Sequence, residues 1–496
     1  MDREEEEKPD QLHVFPISEE NGLDLNKGFR RIETVKEVKK QLWLAGPLIA
    51  VSFLQYCVQV ISIMLVGHLG ELALSSASMA TSFASVTGVS LLIGMGSALD
   101  TLCGQAYGAK QYNMLGVQMQ RAMFVLLLVG IPVAVIWANT ENILLGFRQD
   151  PDISKGAGLY ARYMIPTVFA HGLLQCLLRF LQTQNIVFPM MIISVATTLL
   201  HFPVCWVLVF KSGLGYRGAA VANSLSYWIN VLLLALYVKL SPACKKTWTG
   251  FSKEAFYNVL NFLRLAIPSA VMLCLEYWSF EIVLFLAGLL SNPKLETSVL
   301  SIILNTNALS FNISFGIASA GSTRVSNELG AGRSQAALLA VRVVVLMATI
   351  GGLFLGLAMI FLRHTWGHLF SKEEEVVRYV ATMMPLLALS NFLDGIQCAF
   401  SGIVRGCGWQ KIGAIVNLGA YYLVGIPFAA IFAFVLHIGG KGLWLGITCA
   451  LFVQVLSLLI ITLRTSWEKE AKKAIETACH LSTVDKELQK TLPSSV

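Results

Sequence analysis

Long stretches without charged residues alternate with short polar segments along most of the chain. Uncharged stretches cover residues 41–67, 72–99, 122–140, 180–210 and 442–463. Each is close to or above the roughly 20 residues that a helix needs to cross the hydrocarbon layer of a membrane. Seven further apolar segments lie near residues 158–181, 217–239, 261–290, 296–321, 334–362, 377–404 and 411–437. The pattern predicts about twelve spanning helices, because lipid offers exposed backbone groups no hydrogen-bond partner.

Composition supports an integral membrane protein. Of the 496 residues, 55% are hydrophobic and 14% are charged, whereas charged residues make up about a quarter of ordinary soluble proteins. A large soluble protein with unusually apolar core helices is the alternative interpretation. The succession of so many uncharged stretches argues against that alternative.

The distribution of basic residues predicts the orientation. The first forty residues are hydrophilic and begin with the acidic run Glu4 to Glu7, so we expect no cleaved signal peptide. Basic residues precede the first span, whereas residues 68–75 contain no Lys or Arg. Other basic residues expected on the side of the N-terminus are Lys245, Lys246, Lys253, Arg324, Arg333, Arg405, Lys411, Arg464, Lys469, Lys472 and Lys473. Both termini are therefore predicted to be cytoplasmic, although Lys211 and Arg217 fall on the predicted outer side.

Charge and cysteine usage narrow the expected partners. The net charge of +7 is explained by basic cytoplasmic loops that face anionic lipid, so we expect lipid and no nucleic acid as a partner. The ten cysteines are scattered without the close pairs that bind metals, and we interpret them as packing residues. We expect no metal and no cofactor apart from a coupling proton.

The two halves of the chain align with each other. Leu44–Pro47 matches Leu265–Pro268, at a separation of 221 residues, and residues 101–109 match residues 323–331 at a separation of 222. Six spans separate equivalent points, so both halves have the same orientation. We predict an all-α membrane fold of two six-helix bundles, related by a pseudo-twofold axis along the membrane normal.

The repeat sets the predicted domain boundaries. An N-terminal lobe covers residues 36–239 and a C-terminal lobe covers residues 261–465, joined by a cytoplasmic linker over residues 240–260. Residues 1–35 and 466–496 are predicted to be mobile cytoplasmic tails.

Intramembrane acids distinguish the two halves. A charged side chain in a span costs about 2.5–3.5 kcal/mol on insertion scales, and we find Glu276, Glu281 and Asp394 in predicted spans. At the positions equivalent to Glu276 and Asp394 the first half has Gln55 and Gln175. An amide has nearly the shape of its acid but cannot exchange a proton, so the second half is predicted to bind protons. Permanently protonated acids in structural hydrogen bonds remain the alternative.

Polar neighbours accompany these acids. Asn391, Asp394 and Gln397 recur on one face of the tenth span, Asn417 and Tyr421 lie at helical spacing on the eleventh, and Asn305, Asn307 and Asn312 lie on the eighth. They are candidates to satisfy the carboxyl groups and line a substrate cavity, with simple interhelical hydrogen bonding as the alternative.

Two features of the seventh span remain open on the sequence alone. Glu281 lies about 140° around the helix from Glu276, so it either pairs with a cation such as Arg342 or approaches the lining of the bundle. Pro268, like its equivalent Pro47, precedes the polar position by two turns and is either a hinge or a static kink.

Three motifs resemble plant members of the multidrug and toxic compound extrusion (MATE) family. Residues 320–332, AGSTRVSNELGAG, are similar to the loop after the eighth span of those proteins, and residues 275–281 and 402–408 are similar to further family signatures. Trp278, inside the second motif, joins the candidate cavity residues. The resemblance, which extends over about residues 36–465, implies a V-shaped antiporter that exports organic cations, xenobiotics or secondary metabolites in exchange for protons. It implies that Glu276 and Asp394 form the proton-coupling pair.

The resemblance has one departure and leaves alternatives. Bacterial members have an aspartate in the first span, where this chain has only Gln55 and Gln59, so an N-lobe cation site is in doubt. We expect a monomer in the plasma or vacuolar membrane, and no enzyme. An ATP-driven pump is disfavoured because the chain has no phosphate-binding G-x-x-x-x-G-K-[ST] segment. A transporter of organic anions, a passive channel, a non-transporting receptor and another two-bundle transporter family remain alternatives.

Overall fold

The structure is a computed structural model that describes residues 19–491, with side-chain surroundings for residues 31–292 and 294–479. The acidic run Glu4 to Glu7 lies outside the described residues. Twelve helices within the described residues are long and apolar enough to cross a membrane. Their bounds are α1 Arg31–Gly67, α2 Glu71–Gly108, α3 Tyr112–Ala138, α4 Pro151–Thr183, α5 Phe188–Phe210, α6 Tyr216–Leu240, α7 Val259–Ala287, α8 Lys294–Gly330, α9 Ser334–Leu369, α10 Glu374–Cys407, α11 Gln410–Val435 and α12 Gly440–Arg464.

Several spans extend beyond the predicted uncharged stretches. Helix α2 continues past residue 99 to Gly108, and α3 begins at Tyr112 rather than near residue 122. The charged residues that bounded the prediction, Asp100 and Arg121, are fully buried inside these helices. The sequence 320–332, predicted as a loop, is helical up to Gly330. A charge with a buried partner does not end a helix, which is why uncharged length alone misplaces these boundaries.

The helices form two lobes of six. Within the first lobe α4 packs against α2, α3 and α6, and within the second lobe its equivalent, α10, packs against α8, α9 and α12. Helix α2 crosses the gap between the lobes and contacts α7 and α8, while α1 also contacts α8. The prediction of two six-helix bundles is confirmed.

Glycines bring the lobes together on one side of the bundle, called the terminus side here because α1 begins and α12 ends there. A side chain at Gly330 of α8 would overlap the backbone of Gln105 in α2, and one at Gly108 would overlap the backbone of Asn327. These positions therefore allow α2 and α8 to cross with their backbones in contact. Small residues at a helix crossing permit this close approach in membranes.

Irregular turns interrupt two spans. Helix α2 contains a π-helical segment at Ser85–Val89, and α11 contains two, at Leu418–Gly425 and Ile431–Val435. Such segments break the regular hydrogen-bond ladder and occur often at functional sites. Pro47 and Pro268 both lie inside helices, as predicted.

The segment after α12 is a helix rather than the predicted mobile tail. It covers Trp467–Thr491 and buries Trp467, Ala471, Ala474 and Ala478 against the transmembrane bundle. These residues recur at helical spacing, so one face of the segment is apolar. The indole nitrogen of Trp409, at the start of α11, donates to Glu470 at 3.1 Å. The helix contacts α2 of the first lobe as well as α8 and α9 of the second.

Candidate functional site

Glu276 lies in the interior of the second lobe. Its side chain is buried on α7, two turns after Pro268, and the side-chain nitrogen of Gln397 on α10 donates to its Oε2 at 3.0 Å. The same nitrogen lies 3.3 Å from the hydroxyl of Ser401. An amide nitrogen is a donor only, so this contact favours an oxygen that carries no proton.

Asp394 is the second buried acid of the site. It lies one turn before Gln397 on α10, and its buried Oδ1 has no hydrogen-bond partner among the described residues. Its carboxyl group is near enough to Glu276 for the two charges to interact. The structure thus brings together the two acids that the sequence singled out. Two like charges at close range in a dry interior repel each other.

Helix α11 is fixed to α7 next to this pair. Nδ2 of Asn417 donates to the backbone carbonyl of Met272 at 2.8 Å, and Oδ1 of Asn417 accepts from Nε2 of Gln454 on α12 at 2.7 Å. Met272 lies one turn before Glu276. The chain of bonds therefore fixes the part of α7 that carries the acid.

Two further predicted residues line the same interior. Tyr421 on α11 is fully buried and interacts electrostatically with both acids, and in the described part of the chain its hydroxyl has no hydrogen-bond partner. Asn391 on α10 is buried and donates to the sulfur of Met359 at 3.2 Å. The interior thus contains an unused hydroxyl and an unused carboxyl oxygen, which can bond to a proton, a water molecule or a polar group of a substrate.

Two predicted residues, Trp278 and Glu281, do not join this group among the described residues. Trp278 is 40% exposed, and its indole donates to the carbonyl of Val86 at 3.0 Å, in the π-helical segment of the other lobe. Glu281 is half-buried, and among the described residues no ion pair joins it to Arg342. Asn307 is buried on α8. Trp278 therefore contributes to the contact between the lobes.

Of the two equivalent amides of the first lobe, Gln175 has a histidine neighbour. Gln175 is buried with its Nε2 3.4 Å from Nε2 of His171, whereas Nε2 of the half-buried Gln55 has no hydrogen-bond partner within the described residues. His201 lies between two hydroxyls, with Ser62 at 3.0 Å and Ser226 at 2.8 Å. The first lobe thus has a polar interior of its own, built without a carboxylate at the positions equivalent to the acids.

The sequence interpretation missed a charged group at the contact between the lobes. Asp100 on α2 pairs with Arg179 of α4 and with Arg405 of α10, each at 3.4 Å. The hydropathy pattern ends the tenth span near residue 404, but Arg405 is buried in α10. Asp100 directly precedes the repeated stretch 101–109, whose counterpart is helical up to Gly330, but on the sequence alone that counterpart resembled a loop and gave no signal of a buried acid.

A second missed group lies on the same side. Arg324, assigned to a loop, is buried and forms a two-point pair with Glu37 of α1 at 2.9 Å for both bonds, and it contacts Glu328 at 2.6 Å. Glu328 also pairs with Arg333 at 2.7 Å. Among the described residues no group of three or more His, Cys, Asp or Glu is arranged to bind a metal ion.

Both lobes of the chain match the same protein family. The family model described as MatE matches residues 47–207 and again residues 268–431, so one model matches each lobe. The two matches begin at Pro47 and Pro268, which the internal repeat also pairs.

Individual relatives cover nearly the whole chain. Protein DETOXIFICATION 16 of Arabidopsis thaliana is 64% identical over 88% of this chain and 90% of its own length, and Protein DETOXIFICATION 17 of the same plant is 59% identical over 91% and 95%. The crystal structure of the eukaryotic MATE transporter AtDTX14 is 46% identical, superposes with a TM-score of 0.87, and covers 90% of this chain and 100% of that one. An outward-facing MATE transporter of the MOP superfamily, 17% identical, has a TM-score of 0.76 over 89% of this chain and 97% of its own and shows a shared fold.

Proposed function

Because the chain belongs to the MATE family of membrane transporters, we propose that it exports organic cations, xenobiotics or secondary metabolites in exchange for protons, with Glu276 and Asp394 as the coupling pair. Family membership makes it a multidrug and toxic compound efflux transporter and not an enzyme. The coupling ion, the class of substrate and the site of protonation are the content of the proposal.

One observation supports proton coupling above the others: two buried acids on α7 and α10 interact electrostatically, where the first lobe has amides. Gln397 donates to Glu276, while Asp394 and Tyr421 each have a buried oxygen without a partner. A site of this kind exchanges a proton without a metal or cofactor. Proton entry from the acidic side neutralises the pair, and release on the other side restores the negative charge that a cationic substrate favours.

The available driving force is sufficient for export. One unit of pH difference supplies about 1.4 kcal/mol per proton, and 100 mV supplies about 2.3 kcal/mol per charge. A neutral or cationic substrate exchanged for one proton is therefore concentrated about tenfold for each pH unit. We place the transporter in the plasma or vacuolar membrane as a monomer with both termini in the cytoplasm, so the terminus side is the cytoplasmic side.

Purified protein in lipid vesicles tests the proposal. Vesicles with an acidic interior should accumulate ethidium, a lipophilic cation, at a rate that saturates with ethidium concentration and vanishes when the pH difference is collapsed. Flux that rises linearly with concentration would identify a channel instead. Transport of the anion fluorescein without transport of ethidium would identify an organic anion transporter.

A further inference from the structure

The cluster formed by Asp100, Arg179 and Arg405 lies where the two lobes meet on the terminus side. Asp100 and Arg179 belong to the first lobe and Arg405 to the second, and their side chains are 0%, 4% and 3% exposed. Both guanidinium groups lie over the ring of Phe315 on α8, at 5.4 and 5.7 Å from its centre. The cluster therefore exists only while the lobes are in contact there.

Arg405 is attached to α2 by its backbone as well. Its carbonyl oxygen accepts from the hydroxyl of Thr101, the residue after Asp100. The side chain of Gln105, one turn further along α2, donates to the carbonyl of Gly406 at 3.3 Å. Separation of the lobes on this side must break these bonds together with the ion pair.

The cluster is not electrically neutral. Two guanidinium groups face one carboxylate, which leaves one buried positive charge. An uncompensated buried charge is strongly destabilising. Among the described residues, Nε of Arg179, Nε and Nη2 of Arg405 and both carboxylate oxygens of Asp100 have no hydrogen-bond partner, so the cluster is held by charge at 3.4 Å rather than by close hydrogen bonds.

Glu276 is an acid of α7 that interacts electrostatically with Arg405. Gln397, Ser401 and Arg405 follow at four-residue spacing on one face of α10, and the side-chain nitrogen of Gln397 contacts both Glu276 and Ser401. The other titratable groups that interact with Glu276 or lie beside it are Asp394 and Cys398 on α10, Tyr421 on α11 and Tyr277 on α7 itself. Arg405 is the cation among them.

We propose that ionised Glu276 supplies the counter-charge of the Asp100–Arg179–Arg405 cluster, so that Arg405 is a positioning residue that links the proton of Glu276 to the contact between the lobes. With Glu276 ionised, the four groups sum to zero charge and the contact is stable. When Glu276 takes up a proton, one positive charge remains in the dry contact, and the closed arrangement becomes less favourable than one in which water reaches Arg405. Protonation thus promotes opening of the terminus side, as exchange of a proton for substrate requires.

The proposal rests on the assignment of Glu276 as a proton site, and an infrared pH titration of the full-length protein in lipid separates the two. The stretching band of the protonated Glu276 carboxyl is assigned by its loss in Glu276→Gln. If Glu276→Gln removes no titrating band, the proposed function loses its proton site. If the band is present, the pH at which half of the Glu276 carboxyl is protonated tests whether the Asp100–Arg179–Arg405 cluster acts on this acid.

Opposite shifts are expected from two changes within the cluster. Arg405→Gln removes a cation and should move the midpoint to higher pH by about one unit, whereas Asp100→Asn adds net positive charge and should move it to lower pH. Arg405→Lys keeps the charge and should stay near wild type, and Arg342→Gln, at an exposed position on α9, is the matched control. Unchanged midpoints, or shifts of the same sign, would overturn the proposal while leaving proton coupling intact.

Thiol labelling tests whether protonation of Glu276 weakens the contact between the lobes. It also provides a measurement if one of the variants folds poorly. Cys407, buried at the end of α10, should react with a thiol reagent several-fold faster in Glu276→Gln than in wild type at alkaline pH, because the neutral side chain leaves the cluster without its counter-charge. If Arg405→Gln does not give a monodisperse protein, Arg179→Gln should produce a shift of the same sign. Equal labelling of Cys407 in wild type and Glu276→Gln would contradict the link.

Discussion

Gln397 Nε2 lies 3.0 Å from Glu276 Oε2, so a neutral donor on α10 holds the acid of α7. The first lobe has no such pair at the equivalent position, where Gln55 replaces the acid and its side-chain nitrogen is buried without a partner. The two lobes therefore share a framework and differ in chemistry. Gln397 thus contacts Glu276 through a side chain that does not itself titrate.

Gln397→Ala should make Glu276 easier to protonate. A hydrogen bond to a charged group contributes about 1.5–3 kcal/mol, and its loss removes stabilisation from the ionised carboxylate. We expect the pH at which ethidium transport is half-maximal to rise by about one unit. Transport assayed over a pH series checks this, with Asn391→Ala as a control that removes an amide of α10 bonded to Met359 rather than to Glu276. A lowered midpoint would contradict the role given to Gln397.

Asn417→Ala should destabilise the second lobe. It removes the bonds to Met272 and Gln454 and leaves the side chain of Gln454 buried without this partner, at about 1–3 kcal/mol for each unsatisfied group. Asn305→Ala is the matched control, because Asn305 is exposed and its amide donates within its own helix. Thermal unfolding of the purified proteins measures the difference. A midpoint for Asn417→Ala equal to that of Asn305→Ala would show that the α7–α11–α12 connection carries little stability.

Gly330→Ala should weaken the contact between the lobes. Its added methyl group would overlap the backbone of Gln105, and backbone cannot rotate away as a side chain does, so α2 and α8 must separate. Gly46→Ala, in α1, has open space around the new group and should behave like wild type. Thiol labelling of buried Cys103 on α2 provides the measurement, with faster reaction expected in Gly330→Ala only. Similar labelling in the two variants would show that the glycine crossing is dispensable.

The sequence predicted the architecture because hydrophobic length and internal repetition both leave strong patterns. The number of spans, the two lobes and the linked pair Glu276 and Asp394 follow from those patterns. The ends of α2 and α3 did not follow, because burial of Asp100 and Arg121 depends on partners distant in sequence. Nor did the position of Trp278, since its rotation toward Val86 depends on how the lobes pack.

The roles of basic residues show the same limit. Arg324 and Arg405 look like loop charges when only hydropathy is considered, but each has a carboxylate partner on a different helix. Pairing of this kind is set by three-dimensional packing. The helical segment after Trp467 was missed for a related reason, because its apolar face is too narrow to resemble a span and becomes meaningful only against the bundle.

The most direct measurement is uptake of ethidium into acidic vesicles by wild type, Glu276→Gln and Asp394→Asn. Each of these two substitutions keeps the shape of the acid but removes the group that exchanges a proton. Each variant should therefore lose the part of ethidium uptake that depends on the pH difference. Glu281→Gln, a change of the same kind on the same helix and away from the pair, should retain it. Uptake by both Glu276→Gln and Asp394→Asn that follows the pH difference as wild type does would contradict proton coupling through this pair.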